Sequence, residues 1–179
     1  MTELYRGKFL GLYKTGHWEY CSRTNASAVV VILTRTPEGN ILFTEQYRPP
    51  VNARVIEFPA GLVGDEPGQE NECLETAAIR ELEEECGYLA QSMVPLTAGP
   101  TSAGLTNELI HFFMAQEPTR VGCGGGVEGE NITVHQIPQS QCHQWLKQQQ
   151  ERGLMVDPKV FAGLYFLLHP DAVDGGADP

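Results

Sequence analysis

The chain has 179 residues, 41% of them hydrophobic, and a formal charge of −11. That length supports one domain with a full core, and no apolar run is long enough to span a bilayer. The acidic balance argues against nucleic acid or an anionic membrane as partner, while leaving open an anionic small molecule met through bound cations.

In chain order, Lys8 to Tyr13 and His17 to Ser22 predict a hairpin around a Lys-Thr-Gly turn. The opening residues, MTELYRGKFLGLYKTG, hold no sustained apolar stretch before a small-residue cleavage site, so no secretory leader is expected. Ala28 to Thr34 is a β-branched run that reads as a buried strand. A turn at Pro37 to Asn40 leads to a strand at Ile41 to Gln46, and Arg54 to Phe58 follows the Pro49-Pro50 break.

Glu72 to Tyr88, ECLETAAIRELEEECGY, predicts a helix closed by Gly87 in the manner of a C′ glycine. Residues three and four apart share a helical face, so Glu81, Glu84 and Glu85 form one acidic cluster near its C-terminal end. That placement sets like charges together and opposes the helix dipole, each effect costing roughly a few tenths of a kcal/mol. Ala78, Ile79, Leu82 and Cys86 form an adjoining stripe for the core, and Arg80 is spaced to pair with Glu83 or Glu84. Hard carboxylate oxygens in such number suit Mg²⁺ or Mn²⁺, although a Glu-rich helix by itself reads as a solvated face.

Beyond the helix, strands are expected near Ser92 to Leu96 and at Glu108 to Ala115. Gly122 and Gly124 to Gly126 mark a flexible loop before a strand at Ile132 to Ile137. Gln139 to Arg152 and Lys159 to His169 predict helices, the second opened by Asp157 as N-cap with Pro158 at its first position. Asp171 to Pro179 is small, acidic and expected to be disordered. The five cysteines are odd in number and widely spaced, without a C-x-x-C pair, which reads as reduced thiols of a cytoplasmic protein.

The acidic segment resembles the Nudix box, G-x5-E-x7-R-E-U-x-E-E-x-G-U. Glu72, Arg80, Glu81, Leu82, Glu84, Glu85, Gly87 and Tyr88 match in register. Glu66 stands where the pattern wants glycine, so Gly61 takes that place with a lengthened GLVGDEPGQEN loop between. The resemblance covers nearly the whole chain and implies a Nudix α/β/α sandwich over residues 27–170. An N-terminal β extension at 1–26 would serve base recognition and dimerisation, and 171–179 would form a tail.

The flanks resemble the nucleoside diphosphate sugar pyrophosphatase branch. In EQYRPPVNARVIEFPAGLV the resemblance makes Arg48 a phosphate contact and the Ala60 carbonyl a metal ligand. In HWEYCSR it makes Trp18 and Arg23 candidates for holding the base, Trp18 by stacking. Alone, Trp18 reads equally well as core or interface. In GPTSAGLTNELIHFFMA it gives Glu108 a part in organising phosphates or water. Ala103 replaces a proline usual in ADP-ribose hydrolases, while ELIHFFMA with GGGVEGENI is similar to GDP-mannose hydrolases.

The resemblance also implies a general base on the Gly-rich loop, Glu130 or Glu128. Glu81, Glu84 and Glu85, with Ala60, would hold two or three Mg²⁺ ions, Glu85 acting in catalysis as well. Glu72 would support the loop and helix. The implied activity is Mg²⁺-dependent hydrolysis of a nucleoside diphosphate sugar, ADP-ribose ahead of GDP-mannose, by a cytoplasmic homodimer. A triphosphate-cleaving enzyme and a non-enzymatic nucleotide sensor are the competing readings.

Overall fold

The computed structural model describes residues 1–66, 68–127, 129–169 and 171. Its elements run β1 (Thr2–Arg6), β2 (Leu10–Thr15), β3 (Trp18–Arg23), β4 (Ala28–Leu33), β5 (Asn40–Arg48), β6 (Ala53–Glu57) and β7 (Ala60–Val63). Then come α1 (Leu74–Cys86), β8 (Tyr88–Leu89), β9 (Ser92–Pro100), β10 (Leu109–Gln116), β11 (Thr119–Arg120) and β12 (Thr133–Pro138). The chain closes with α2 (Cys142–Glu151), β13 (Met155–Val156) and α3 (Pro158–Leu168).

Two four-stranded sheets carry the architecture, in the orders β7-β4-β10-β9 and β12-β5-β6-β13. Within the first, β4 and β10 are parallel, with Val31 opposite Phe112, whereas β7 and β9 run antiparallel to their neighbours. The alternation of β4 explains the layering, because successive side chains leave opposite faces of a strand. Val30 and Ile32 pack with Ala77, Ala78, Leu82 and Cys86 of α1. Val31 and Leu33 pack on the other side with Phe43, Phe58, Leu146 of α2, and Val160, Leu164 and Leu167 of α3. A strand apolar on both faces is thus covered by helices on both, the expected α/β/α sandwich.

The predicted apolar stripe of α1 is buried except at Ile79, which is only partly covered, and Ala77 joins it. Full burial of Leu82 alone contributes about 2 kcal/mol. Gly87 ends α1 with φ +71, its N–H donating to the carbonyls of Glu83 and Leu82. Asp157 caps α3 by accepting from the Lys159 N–H at 2.7 Å.

The N-terminal hairpin gains a strand that the sequence pattern did not signal. β1 pairs with β2 to make a three-stranded sheet β1-β2-β3, and every residue of β1 is exposed. Cys21 ties this sheet to the rest by donating to the Leu105 carbonyl and accepting from the Asn107 N–H. The expected tail lies outside the described residues apart from Asp171, and no described helix is long and apolar enough to cross a membrane.

Candidate active site

β5, β6, β7, β10, α1 and the Gly-rich loop converge on a cavity of about 350 Å³. Acids on its wall are Glu57, Asp65, Glu81, Glu85, Glu108 and Glu130, and cations are Arg23, Arg48 and Lys159. Glu81 and Glu85 project from α1 four residues apart, hence on one face.

Gly61 makes room for Glu81. A Cβ there would fall 1.8 Å from the Glu81 carboxyl carbon. Burial pushes the Glu81 carboxyl up to about 7, against the lowering effect of Arg80, while Glu84 and Asp65 push the same way as burial. Glu85 is 3% exposed. Burial holds its carboxyl well above the usual range, and nearby Glu81 and Glu130 add to the effect. The Ala60 N–H, which donates to Glu85 at 3.0 Å, and Arg48 both oppose it.

Arg80 is the hub on the outer side of this pair. Its Nε and Nη2 each reach Glu72 at 3.1 Å, its Nη1 reaches Glu81 at 2.9 Å and Glu84 at 3.1 Å, and Nη2 also donates to the Leu62 carbonyl. Glu72, 3% exposed, therefore braces the loop and helix through Arg80 and stays off the cavity wall. Of the two partners expected for Arg80, Glu84 is paired and Glu83 is not, and Glu72 and Glu81 join. Glu84 is partly exposed and also lies off the cavity wall.

Arg48 forms a two-pronged ion pair with Glu57, Nε to Oε2 at 2.8 Å and Nη2 to Oε1 at 3.1 Å. Burial weakens the Arg48 charge, and Glu57 more than offsets this, so its pKa lies above the ordinary value. Arg23 pairs with Glu108, whose carboxylate also accepts from Thr101. Trp18, at the far end of β3 from Arg23, is 66% exposed and lies outside the cavity lining.

The Gly-rich loop is docked on the C-terminal end of α1. Val121 and Gly122 N–H groups donate to the Gly87 carbonyl, Gly125 to that of Glu85 and Gly126 to that of Glu84. These bonds satisfy helix-end carbonyls that would otherwise lack partners. A Cβ on Gly124 would meet the backbone of Glu85 and Cys86 at 2.5 Å, so glycine permits close approach here. The docking differs from the flexible hinge expected from composition. It fixes Glu130, whose carboxylate accepts from the Val127 N–H at 3.0 Å, on the cavity wall. Glu128 lies outside the described residues.

Among the described residues no three His, Cys, Asp or Glu side chains are drawn together as a metal cluster. The donor chemistry still suits a hard divalent cation. Glu85 is buried and Glu81 half-buried, their carboxylates facing one cavity, and among the described residues the Glu85 carboxylate accepts a hydrogen bond from the Ala60 amide alone. A bound cation would remove the penalty that burial imposes on both.

Glu57, Gln46, Asp65 and Lys159 join the site without having been singled out in the sequence. Glu57 faces Thr44 across the β5-β6 pair, a relation that no local spacing reveals.

Comparison with known proteins bears on the fold and the family. A solved structure of an ADP compounds hydrolase superposes with a TM-score of 0.70 over 98% of this chain and 94% of that one, at 17% identity, a likeness of fold. An ADP-ribose pyrophosphatase of Bacillus subtilis (strain 168) is 35% identical over 126 residues, 64% of this chain and 63% of that protein. A methanol dehydrogenase activator of Bacillus methanolicus is 29% identical over 163 residues, 89% of this chain and 80% of that protein. A GDP-mannose pyrophosphatase of Pectobacterium atrosepticum is 33% identical over 119 residues, 62% of this chain and 58% of that protein. The match therefore spans under two thirds of both named pyrophosphatases. The NUDIX domain model matches residues 24–122, more than half of the chain and all of α1, so this chain belongs to the Nudix family.

Proposed function

We propose that this chain hydrolyses the diphosphate linkage of a nucleoside diphosphate sugar, ADP-ribose first, giving AMP and ribose 5-phosphate in a Mg²⁺-dependent reaction. The observation that carries this reading is the meeting of Arg23, Arg48 and Lys159 with Glu81, Glu85 and Glu130 on one cavity wall. Phosphate oxygens need the first set, and divalent cations the second.

Glu81 and Glu85, with the Ala60 carbonyl, would hold the Mg²⁺ ions, two or three in number, and Mn²⁺ would substitute; Glu84 would join them by turning from Arg80, its partner off the cavity wall. When bound, such ions neutralise phosphate charge and make water more acidic. Arg48 donates to phosphate oxygens through the guanidinium edge that Glu57 leaves free. Arg23, oriented by Glu108, holds the nucleotide half. Glu130, or Glu128, takes the proton of an attacking water as it bonds to one phosphorus. The bond from that phosphorus to the bridging oxygen breaks, and the other phosphate leaves on its half of the substrate. Trp18, exposed here, stacks on a base in the cavity of a second copy, which makes a homodimer part of the reading.

GDP-mannose is the second substrate reading, favoured by the likeness of ELIHFFMA and GGGVEGENI to GDP-mannose hydrolases and by relatives named as GDP-mannose pyrophosphatases. Release of monophosphate from ADP-ribose, GDP-mannose, UDP-glucose and nucleoside triphosphates, with and without Mg²⁺, tests the proposal. The highest kcat/KM is expected on ADP-ribose. A preference for triphosphates contradicts the reading, and silence with both Mg²⁺ and Mn²⁺ favours a nucleotide sensor.

A further inference from the structure

Arg48 stands at the last position of β5, opposite Ala53, whereas Glu57 stands opposite Thr44. Four residues of strand separate these two pairings, about 13 Å along the strand. The Arg48 and Glu57 side chains therefore lean toward each other along the sheet to meet. Nothing in strand geometry dictates that course, since a terminal arginine has four torsions and open solvent available.

Glu57 supplies the anchor. Its carboxylate is 9% exposed, and both oxygens are engaged by Arg48. Its own position is fixed by the residues that follow it. The next residue, Phe58, is buried and stacks on Phe43 with ring centroids 5.2 Å apart. Ala60, three residues on, is tied to Glu85. The grip uses Nε and Nη2, and Nη1 donates to no described residue while the side chain lines the cavity. An acid on the wall of a site for phosphates would repel its ligand if free, but paired in this way it holds the cation that meets the ligand.

We infer that Glu57 is a positioning residue, acting through Arg48, that presents the Nη1 edge of the guanidinium to a diphosphate oxygen. The inference rests on the proposed function for the identity of the ligand and on the observed pairing for the role of Glu57. It joins the two halves of the site through one short segment, Glu57 to Ala60, one end orienting the cation and the other the buried acid.

A double-mutant cycle tests it, using Glu57→Gln, Arg48→Ala and the combination, with kcat/KM for ADP-ribose in Mg²⁺. Loss of orientation is expected to cost about 10- to 100-fold in Glu57→Gln. The same change should cost less than about 3-fold once Arg48 is already alanine, because nothing remains to be positioned. Equal losses in the two backgrounds would overturn the inference. The Arg48 Nε–Hε signal in ¹⁵N spectra supplies a readout free of turnover. It should be protected from exchange in the parent and lost in Glu57→Gln, and an unchanged signal would also overturn the role. If the parent cleaves no substrate, the functional reading fails separately. Affinity for inorganic pyrophosphate across the same four proteins then decides the role of Glu57, coupling upholding it and additivity overturning it.

Discussion

Gly61 and Arg80 show how single residues shape the site. The clash of a Gly61 Cβ is with the far end of the Glu81 side chain, which can swing away, so Gly61→Ala should spare the fold and displace the carboxylate. Mg²⁺-dependent turnover is expected to fall about 10- to 100-fold with little change in Tm. An active Gly61→Ala protein would mean that Glu81 need not lie where it does. Arg80→Ala works in the opposite sense, because it strands Glu72, nearly fully buried, without its cation. A loss of about 3 to 5 kcal/mol is expected in urea denaturation, and Arg80→Lys should recover little of it, since a single ammonium cannot replace the fork that reaches Glu72 and Leu62 together. A loss below about 1 kcal/mol would show that the hub is not structural.

At the scale of elements, the site depends on the docking of the Gly-rich loop against the end of α1. Gly124 sits at φ +68 with helix backbone 2.5 Å from where a Cβ would be. Gly124→Ala should therefore cost about 1 to 3 kcal/mol, release the Gly125 and Gly126 amides to hydrogen exchange, and slow turnover by moving Glu130. Parent-like exchange at those amides would refute the docking. Composition alone made this loop look flexible, because glycine for freedom and glycine for close approach read alike in a sequence. The long elements were legible: α1 from its stripe and Gly87, α3 from Asp157 and Pro158, β4 from its β-branched run. β1 was not, since its exposed residues carry no apolar alternation, and β7, β8, β11 and β13 are too short for periodicity to register. Within the site, Glu81, Glu85 and Arg48 could be read from local motifs. Glu57 and Lys159 enter through sheet pairing and the seating of α3, which no local spacing encodes.

For the whole molecule, the buried acids couple stability to pH and to cations. With the Glu81 carboxyl at about 7 in the folded protein and 4.5 as its ordinary value, the folded state binds more protons between those values. Stability from this group is complete below about pH 4.5 and is lost as pH rises through 7. Glu85 acts in the same direction. Glu45, lowered by Arg54 and His135 despite the opposing effect of burial, contributes stability that is lost only on acidification below its ordinary range. The chelator-treated protein should therefore lose up to about 3 kcal/mol between pH 5 and pH 8, and millimolar Mg²⁺ should restore it by binding the folded state. Glu81→Gln should flatten both responses. A chelated parent with equal Tm at pH 5 and pH 8, indifferent to Mg²⁺, would show that these carboxylates do not face a cation site.

The most direct test compares ADP-ribose hydrolysis by the parent and by Glu85→Gln in Mg²⁺, with AMP and ribose 5-phosphate identified as products. The parent is predicted to release the two in equal amounts only when Mg²⁺ is present, with kcat/KM reduced about 1,000-fold or more in the variant. Cleavage that survives chelation, or a Glu85→Gln protein as active as the parent, would contradict the account.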